Sequence, residues 1–304
     1  MSSEKEKKQF GLPWVEKYRP SSLDDVVAHD EILATLRRLM SGDSMPHFLF
    51  YGPPGTGKTT TIKACATHLY GKERVRANVL EMNASDDRGI DVVRQQIREF
   101  SSTTSIFSMA SSSSGARKVS FKLVILDEAD QMSHDAQAAL RRVIEKYTKN
   151  VRFCILCNHI NKIIPALQSR CTRFRFAPVR KADMLPRLQQ IAEAEGIKYT
   201  TEGLGAAFRL SQGDLRRCLN TLQSSVLSYN EISEKSVYDV TGNPSPKEVS
   251  TMVSDMLSND FVTSWEKGVQ QRRWTRALRD GPRTECTRLQ CRVGVRPPFG
   301  PRKR

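Results

Sequence analysis

The stretch Gly52-Pro53-Pro54-Gly55-Thr56-Gly57-Lys58-Thr59 fits G-x-x-x-x-G-K-[ST]. It follows an apolar run at 47–51 and precedes a helix-compatible segment at 60–70. Strand, glycine turn and helix in that order is the setting a phosphate-binding loop requires. Glycines let backbone N–H groups converge on phosphate oxygens, and the helix N-terminus adds positive potential. Lys58 would reach the β- and γ-phosphates of a nucleotide, and Thr59 would ligate Mg2+. Gly52, Pro53, Pro54, Gly55, Thr56, Gly57, Lys58, Thr59 and Thr60 therefore form the candidate cradle.

Outward from this loop, short apolar runs recur at 47–51, 79–82, 123–126, 153–157 and 174–176. They lack polar alternation, which points to strands of a parallel sheet covered on both faces. Between them Ile90, Val93, Ile97 and Phe100 repeat at helical spacing, as do Ala136, Leu140, Val143, Ile144 and Tyr147. Strand–helix alternation of this kind predicts an α/β domain of βαβ units over 1–177.

The run at 123–126 ends in Asp127-Glu128-Ala129-Asp130. Acids leaving a strand at its C-terminal edge face the ligand crevice of such a sheet. Asp127 would hold the Mg2+ shell, and Glu128 would polarise the attacking water. Asn158 follows the run at 153–157, where its amide would bond the γ-phosphate or that water; the alternative is an ordinary turn asparagine. Arg170, after a helix expected at 162–167, reads as a surface charge or as a finger offered to a neighbouring subunit. Arg216, at the start of another helix, reads as a surface charge or as an arginine folded over the phosphates.

After Pro178 the strand runs stop. Met184, Leu185, Leu188 and Ile191 mark an amphipathic helix ended by Gly196, and Leu215, Cys218, Leu219, Leu222 and Val226 mark a second. A small all-helical lid is expected over 178–242, followed by a Gly/Pro linker and the start of another helical domain over 243–266. Ser101 to Ser120 reads as a serine-rich loop. Residues 267–304 lose all apolar period, and that composition cannot bury a core.

The chain has 304 residues and a formal charge of +15. The last 39 residues hold 12 basic and 3 acidic side chains, so the basicity concentrates there. A basic body suits a polyanionic partner or is a solvated surface. No run approaches the roughly 18 apolar residues of a membrane-spanning helix, and the first eight residues have no secretory core behind them. Seven scattered cysteines make no disulfide framework and fit a reducing compartment. Cys154 and Cys157 lie three apart on one expected strand, so they point to opposite faces rather than to a shared metal.

The motifs at 12–20 (Leu-Pro-Trp-Val-Glu-Lys-Tyr-Arg-Pro), the phosphate loop, 83–90, the Asp-Glu-Ala-Asp strand end, 169–174 and 213–217 together resemble the AAA+ ATPases. Within them they resemble the small subunits of replication factor C, the eukaryotic sliding-clamp loader, over residues 10–265. The resemblance implies ATP hydrolysis with Mg2+ and a hetero-pentamer with four other replication factor C subunits. It also implies nuclear residence, with a sliding clamp and primer-template DNA as partners. Carried over by position, Val15, Arg19 and Val27 would border the adenine, Asn158 and Arg216 would be the two sensor residues, and Arg170 the finger acting in trans. Arg88, Arg94 and Arg98 would track the DNA backbone, or form a solvated basic face. Ile106-Phe107 would anchor a clamp contact, or the serine loop would be an inert insertion.

From Gly268 the similarity stops. The tail reads either as text foreign to the family, as an out-of-frame or intronic stretch would give, or as a basic tail for nucleic acid or nuclear import. The alternatives to an ATPase switch subunit are a nonhydrolysing structural subunit, an assembly-defective fragment, or a different AAA+ machine such as a branch-migration motor.

Overall fold

A computed structural model describes residues 12–41, 45–84, 89–102 and 121–258. The first unit opens with a single helical turn, α1 (Trp14–Lys17), and α2 (Asp30–Ser41). Strands β1 (Phe48–Tyr51), β2 (Val79–Asn83), β3 (Lys122–Asp127), β4 (Val151–Cys157) and β5 (Thr172–Arg175) then alternate with helices. These are α3 (Lys58–Asn78), α4 (Gly89–Ser102), α5 (His134–Tyr147) and α6 (Pro165–Gln168). The five strands form one sheet in the order β2-β3-β4-β1-β5. Every neighbouring pair is parallel. The five expected runs are the five strands.

The strand sequences are apolar throughout because both faces are covered. Phe48, Phe50, Leu123, Ile125, Cys154 and Leu156 point to one face, where they pack with Leu33 and Leu36 of α2 and Ile62 and Cys65 of α3. The intervening Leu49, Val124, Leu126, Phe153, Ile155 and Cys157 point to the other, against Ile97 of α4, Leu140 and Ile144 of α5 and Leu167 of α6. Period-two alternation thus divides one continuous apolar run between two cores. Cys154 and Cys157 fall on opposite faces as expected, both buried and free.

Helix α3 is broken at Gly71, whose φ of 73° and ψ of 156° are not helical. The helix expected at 162–167 is instead a 3₁₀ turn, Ile160–Lys162, followed by α6. Pro165 takes the first turn of α6, where its missing N–H leaves no helical bond unmade.

Beyond the sheet come α7 (Lys181–Ala194), β6 (Lys198–Tyr199), α8 (Thr201–Ser211), α9 (Leu215–Tyr229), β7 (Glu231–Ile232), α10 (Glu234–Thr241) and α11 (Pro246–Ser258). The region expected to be all-helical therefore also holds a two-stranded parallel pairing of β6 with β7. Helix α8 escapes a propensity reading because it contains Gly203 and Gly205. A Cβ on Gly203 would lie 2.6 Å from the Ile232 carbonyl oxygen, so glycine is what lets this helix start against β7. The chain divides into two compact units: one runs through Ile197 and takes in Ala207–Gln223, and the other comprises Lys198–Ala206 and Ser224 onward.

At the start of β1, His47 is buried and its Nδ1 accepts the Phe153 N–H at 3.1 Å. The backbone of the neighbouring strand thus depends on a neutral imidazole. Burial, aided by the Arg152 charge, pushes the His47 pKa down to about 4. An unfolded histidine binds its proton near pH 6.5, so as the pH falls from there to about 4 the unfolded chain takes up a proton that the folded chain refuses. Stability contributed by neutral His47 is present above pH 6.5 and is lost across that window, by about 3 kcal/mol at most. The urea midpoint of the wild-type chain is expected to fall between pH 7 and pH 5 more steeply than that of His47→Asn, whose amide oxygen still accepts the Phe153 N–H.

Candidate nucleotide site

The loop at 52–57 leaves β1 in conformations that demand glycine. Gly52, Gly55 and Gly57 have φ of 145°, 67° and 94°. A Cβ at Gly52 would stand 2.0 Å from the Phe176 carbonyl oxygen, and one at Gly55 1.7 Å from the Asp214 carboxylate. A Cβ at Gly57 would meet nothing within 4 Å. Gly57 is also the N-cap of α3 and supplies no side-chain cap. The bond from Thr61 N–H to Gly57 O, at 2.8 Å, opens the helical ladder, so the N–H groups of residues 58–60 face out of the helix start. This is an anion cradle in both shape and sign.

Lys58 is buried beneath it. Its Nζ donates to the carbonyls of Gly52 at 2.7 Å and Pro53 at 2.8 Å and to Asn158 Oδ1 at 3.0 Å. Burial holds its ammonium below the usual lysine range, while the nearby Asp127 pulls the other way. Thr56, also buried, donates to the Pro53 carbonyl at 2.9 Å and tightens the same turn.

The acidic end of β3 meets this lysine from the side. Thr59 Oγ1 donates to Asp127 Oδ2 at 2.9 Å, and Asp127 Oδ1 accepts the Glu128 N–H at 2.9 Å. A hydroxyl beside a carboxylate is the hard-oxygen donor pair that suits Mg2+. Glu128 is exposed and holds a left-handed backbone, φ 55° and ψ 35°. Non-glycine residues adopt that conformation at a cost of about 1–3 kcal/mol. Asp130, overlooked in the sequence, is buried and accepts the Asn158 N–H at 3.4 Å. It fastens the end of β4 to the turn after β3.

The start of α9 sits on the same loop. Leu215 N–H donates to the Gly55 carbonyl at 3.2 Å, and Asp214 caps the helix by accepting the Arg217 N–H at 3.0 Å. The exposed Arg216 is thereby carried close enough to Lys58 for its charge to lower the lysine's pKa. Asp214 was not singled out from sequence, because an aspartate before a helix reads as an ordinary cap.

On the side of Val27, Ala28 and His29 are both left-handed, at φ 70° and 67°. The His29 ring meets Phe176 edge-on at 5.0 Å between centroids. Burial pushes the His29 pKa down against a hydrogen bond to the Thr56 backbone. Val15, inside α1, and Arg19, just after it, are both half-buried, with Arg19 paired to Glu16 at 3.0 Å. That turn is fixed to α7 and α9. Trp14 N–H donates to Gln223 Oε1 at 3.1 Å, and Lys17 and Tyr18 both reach Glu195 Oε1, at 2.6 Å and 2.5 Å.

Arg170 behaves differently. Thr172 of β5 pairs with Phe48 of β1, so Arg170 lies off the N-terminal edge of the sheet, whereas the phosphate loop lies off the C-terminal edge. The offset from Arg170 to Gly52 is about six residues of strand, or roughly 20 Å. Arg170 instead donates to the Ala166 carbonyl at 2.7 Å and pairs with Glu145 at 2.5 Å. Of the arginines read as DNA contacts, Arg98 is exposed on α4. Arg88 and the side chain of Arg94 lie outside the described residues, as do Ile106-Phe107 and the tail after residue 258.

Sheet order, glycine loop and acidic strand end define an AAA ATPase, and residues 48–179 match the model of the ATPase family associated with various cellular activities. The fold is similar to solved structures of the Aeropyrum pernix ORC1 protein in complex with DNA (21% identical, TM-score 0.56, covering 74% of this chain and 66% of that one). It is also similar to the Thermotoga maritima RuvB Holliday junction branch migration motor (14%, TM-score 0.55, covering 92% and 86%). In sequence the chain is 51% identical over 255 residues to replication factor C subunit 5 of Mus musculus, covering 84% of this chain and 72% of that protein. It is 49% identical over 254 residues to replication factor C subunit 3 of Schizosaccharomyces pombe, covering 84% and 71%. The chain belongs to the replication factor C subunits, the clamp-loader ATPase family to which its motifs pointed.

The glycine geometry sets a direct expectation. Gly55→Ala combines a left-handed φ with the Asp214 clash, and should weaken ATP binding by at least about tenfold. Gly57→Ala, strained in φ but meeting no atom, should lose less. Displacement of a fluorescent ATP analogue from the full chain measures both.

Proposed function

We propose that this chain hydrolyses ATP as one subunit of a five-membered clamp loader in the nucleus, and that its nucleotide state controls the grip of the ring on a sliding clamp and primer-template DNA. The observation that carries this reading is the junction of Lys58 with Asn158 and of Thr59 with Asp127. It joins loop, acidic strand and sensor strand at one edge of the sheet.

In the reaction, the backbone N–H groups at the start of α3 hold the phosphates. Lys58 offers its ammonium to the β- and γ-phosphates once it leaves the loop carbonyls. Thr59 and Asp127 would hold Mg2+, which when bound supplies Lewis-acid stabilisation of phosphoryl oxygens. Glu128, exposed beside Asp127, orients and polarises the water. Asn158 has two candidate partners, Lys58 and the terminal phosphate, and so is suited to report which one is present. Arg216 approaches the same phosphates from α9. Val15, Arg19 and Val27 border the base. Arg170, about 20 Å from its own loop by strand register, is suited to a neighbour's phosphates. Arg88, Arg94 and Arg98 remain the proposed track for the DNA backbone, where binding falls steeply with salt.

Two substitutions test the reading. Glu128→Gln should keep ATP affinity while lowering turnover of the assembled complex by about 10²–10⁴-fold. Unchanged turnover would make this a nonhydrolysing structural subunit. Arg170→Ala should leave ATP affinity at its own site intact and slow hydrolysis at the adjoining subunit by about 10³-fold or more. A large loss of binding at its own site overturns the trans role.

A further inference from the structure

One carboxylate oxygen outside the phosphate site gathers two side chains from the start of the chain. Glu195, the residue that caps the C-terminus of α7, accepts from Lys17 Nζ at 2.6 Å and from Tyr18 Oη at 2.5 Å. The Glu195 and Lys17 side chains are 19% and 27% exposed, so the pair is largely withdrawn from solvent. Two further bonds reinforce it, from Arg187 of α7 to the Tyr18 carbonyl at 3.3 Å and from the Trp14 N–H to Gln223 of α9 at 3.1 Å. Burial raises the Glu195 pKa, but the bonds from Lys17 and Tyr18 outweigh it and hold the carboxyl below the usual range.

The two helices that receive this turn differ in what else they hold. Helix α9 rests its first residues on Gly55 and carries Arg216. Helix α7 carries Glu195 at its far end. The segment Trp14–Tyr18 spans both. Val15 lies inside that span and Arg19 immediately after it. A displacement of the turn relative to α7 therefore carries Val15 and Arg19 with it, whereas the glycine loop makes its own bond to the start of α9 through Gly55.

We propose that Glu195 is a positioning residue for the base of the nucleotide: by gathering Lys17 and Tyr18 it fixes the turn of Val15 and Arg19 against α7, and so sets how strongly the site prefers adenine. This rests on the reading that Val15, Arg19 and Val27 border the base. The clasp makes no contribution to phosphate binding, which is the work of Lys58 and the α3 N-terminus.

The test is equilibrium binding of ATP, GTP and inorganic tripolyphosphate to the full chain, by displacement of a fluorescent ATP analogue. Glu195→Ala is expected to weaken ATP about fivefold to tenfold, a range that discounts a charge-assisted bond for its partial exposure. Tripolyphosphate should stay within about twofold of wild type, and the preference for ATP over GTP should shrink. Tyr18→Phe, which removes one hydroxyl, should give a smaller change of the same kind, and it keeps the test open if Glu195→Ala melts. The charge swap of Lys17→Glu with Glu195→Lys should recover part of the loss. Equal weakening of all three ligands would mean that Glu195 only stabilises the fold, and would overturn the proposal. Val27→Trp separates the two levels. If it too leaves the ATP-to-tripolyphosphate ratio unchanged, the base-site reading itself has failed; if it changes that ratio while Glu195→Ala does not, the clasp alone has.

Discussion

The ammonium of Lys58 is the constraint on which the nucleotide site depends. It is a charge at 8% exposure, and a buried charge is tolerated only with its hydrogen bonds filled. Three partners fill them: two loop carbonyls and the Asn158 amide oxygen. Those partners come from the turn after β1 and from the end of β4, neighbouring strands in the sheet. The lysine thereby stitches the loop to the end of β4, and Thr59, the next residue along α3, stitches it to β3 through Asp127. One nitrogen thus holds both the loop and the end of β4.

The parallel sheet explains why the other functional groups divide as they do. All strands run the same way, so everything following a strand collects at one edge and everything preceding a strand collects at the other. Gly52, Glu128 and Asn158 follow strands, Asp127 is the last residue of one, and all four lie at the same edge. Arg170 precedes β5 and is sent to the far edge. No side-chain flexibility bridges that gap, since an arginine reaches only a fraction of it. The direction of the strands thus places the phosphate-loop residues at one edge of the sheet and Arg170 at the other.

Much of this is legible in the sequence. The glycine loop is readable because its backbone has to turn through positive φ and approach Phe176 and Asp214 more closely than a Cβ permits. The strands are readable because burial on both faces removes polar alternation, and Asp127 and Glu128 because charges interrupt an apolar run. What escaped notice was of a different kind. Asp130, Asp214 and His29 carry no local pattern that marks their partners. Nor does Glu195, at the end of an amphipathic helix. Each acquires its role from a partner distant in sequence: Asn158 lies 28 residues from Asp130, and Lys17 lies 178 from Glu195. Within the helical region expected over 178–242, the helix Thr201–Ser211 has no marking of its own because its glycines lower propensity, and what favours it is the close approach of Gly203 to β7.

The sequence by itself determined the sheet, its parallel sense, the phosphate loop and the acidic strand end. These follow from local rules: period-two burial along a strand, and glycine where L-residues cannot go. Tertiary structure alone decided which polar groups meet. Hydrogen bonds between Lys58 and Asn158, between the α9 start and Gly55, and between Glu195 and the first turn join segments that no local rule connects. Such bonds form because each of these groups is at least partly withdrawn from water and must find its partner within the protein. Which partner it finds is a property of the packed chain, not of the residues on either side of it.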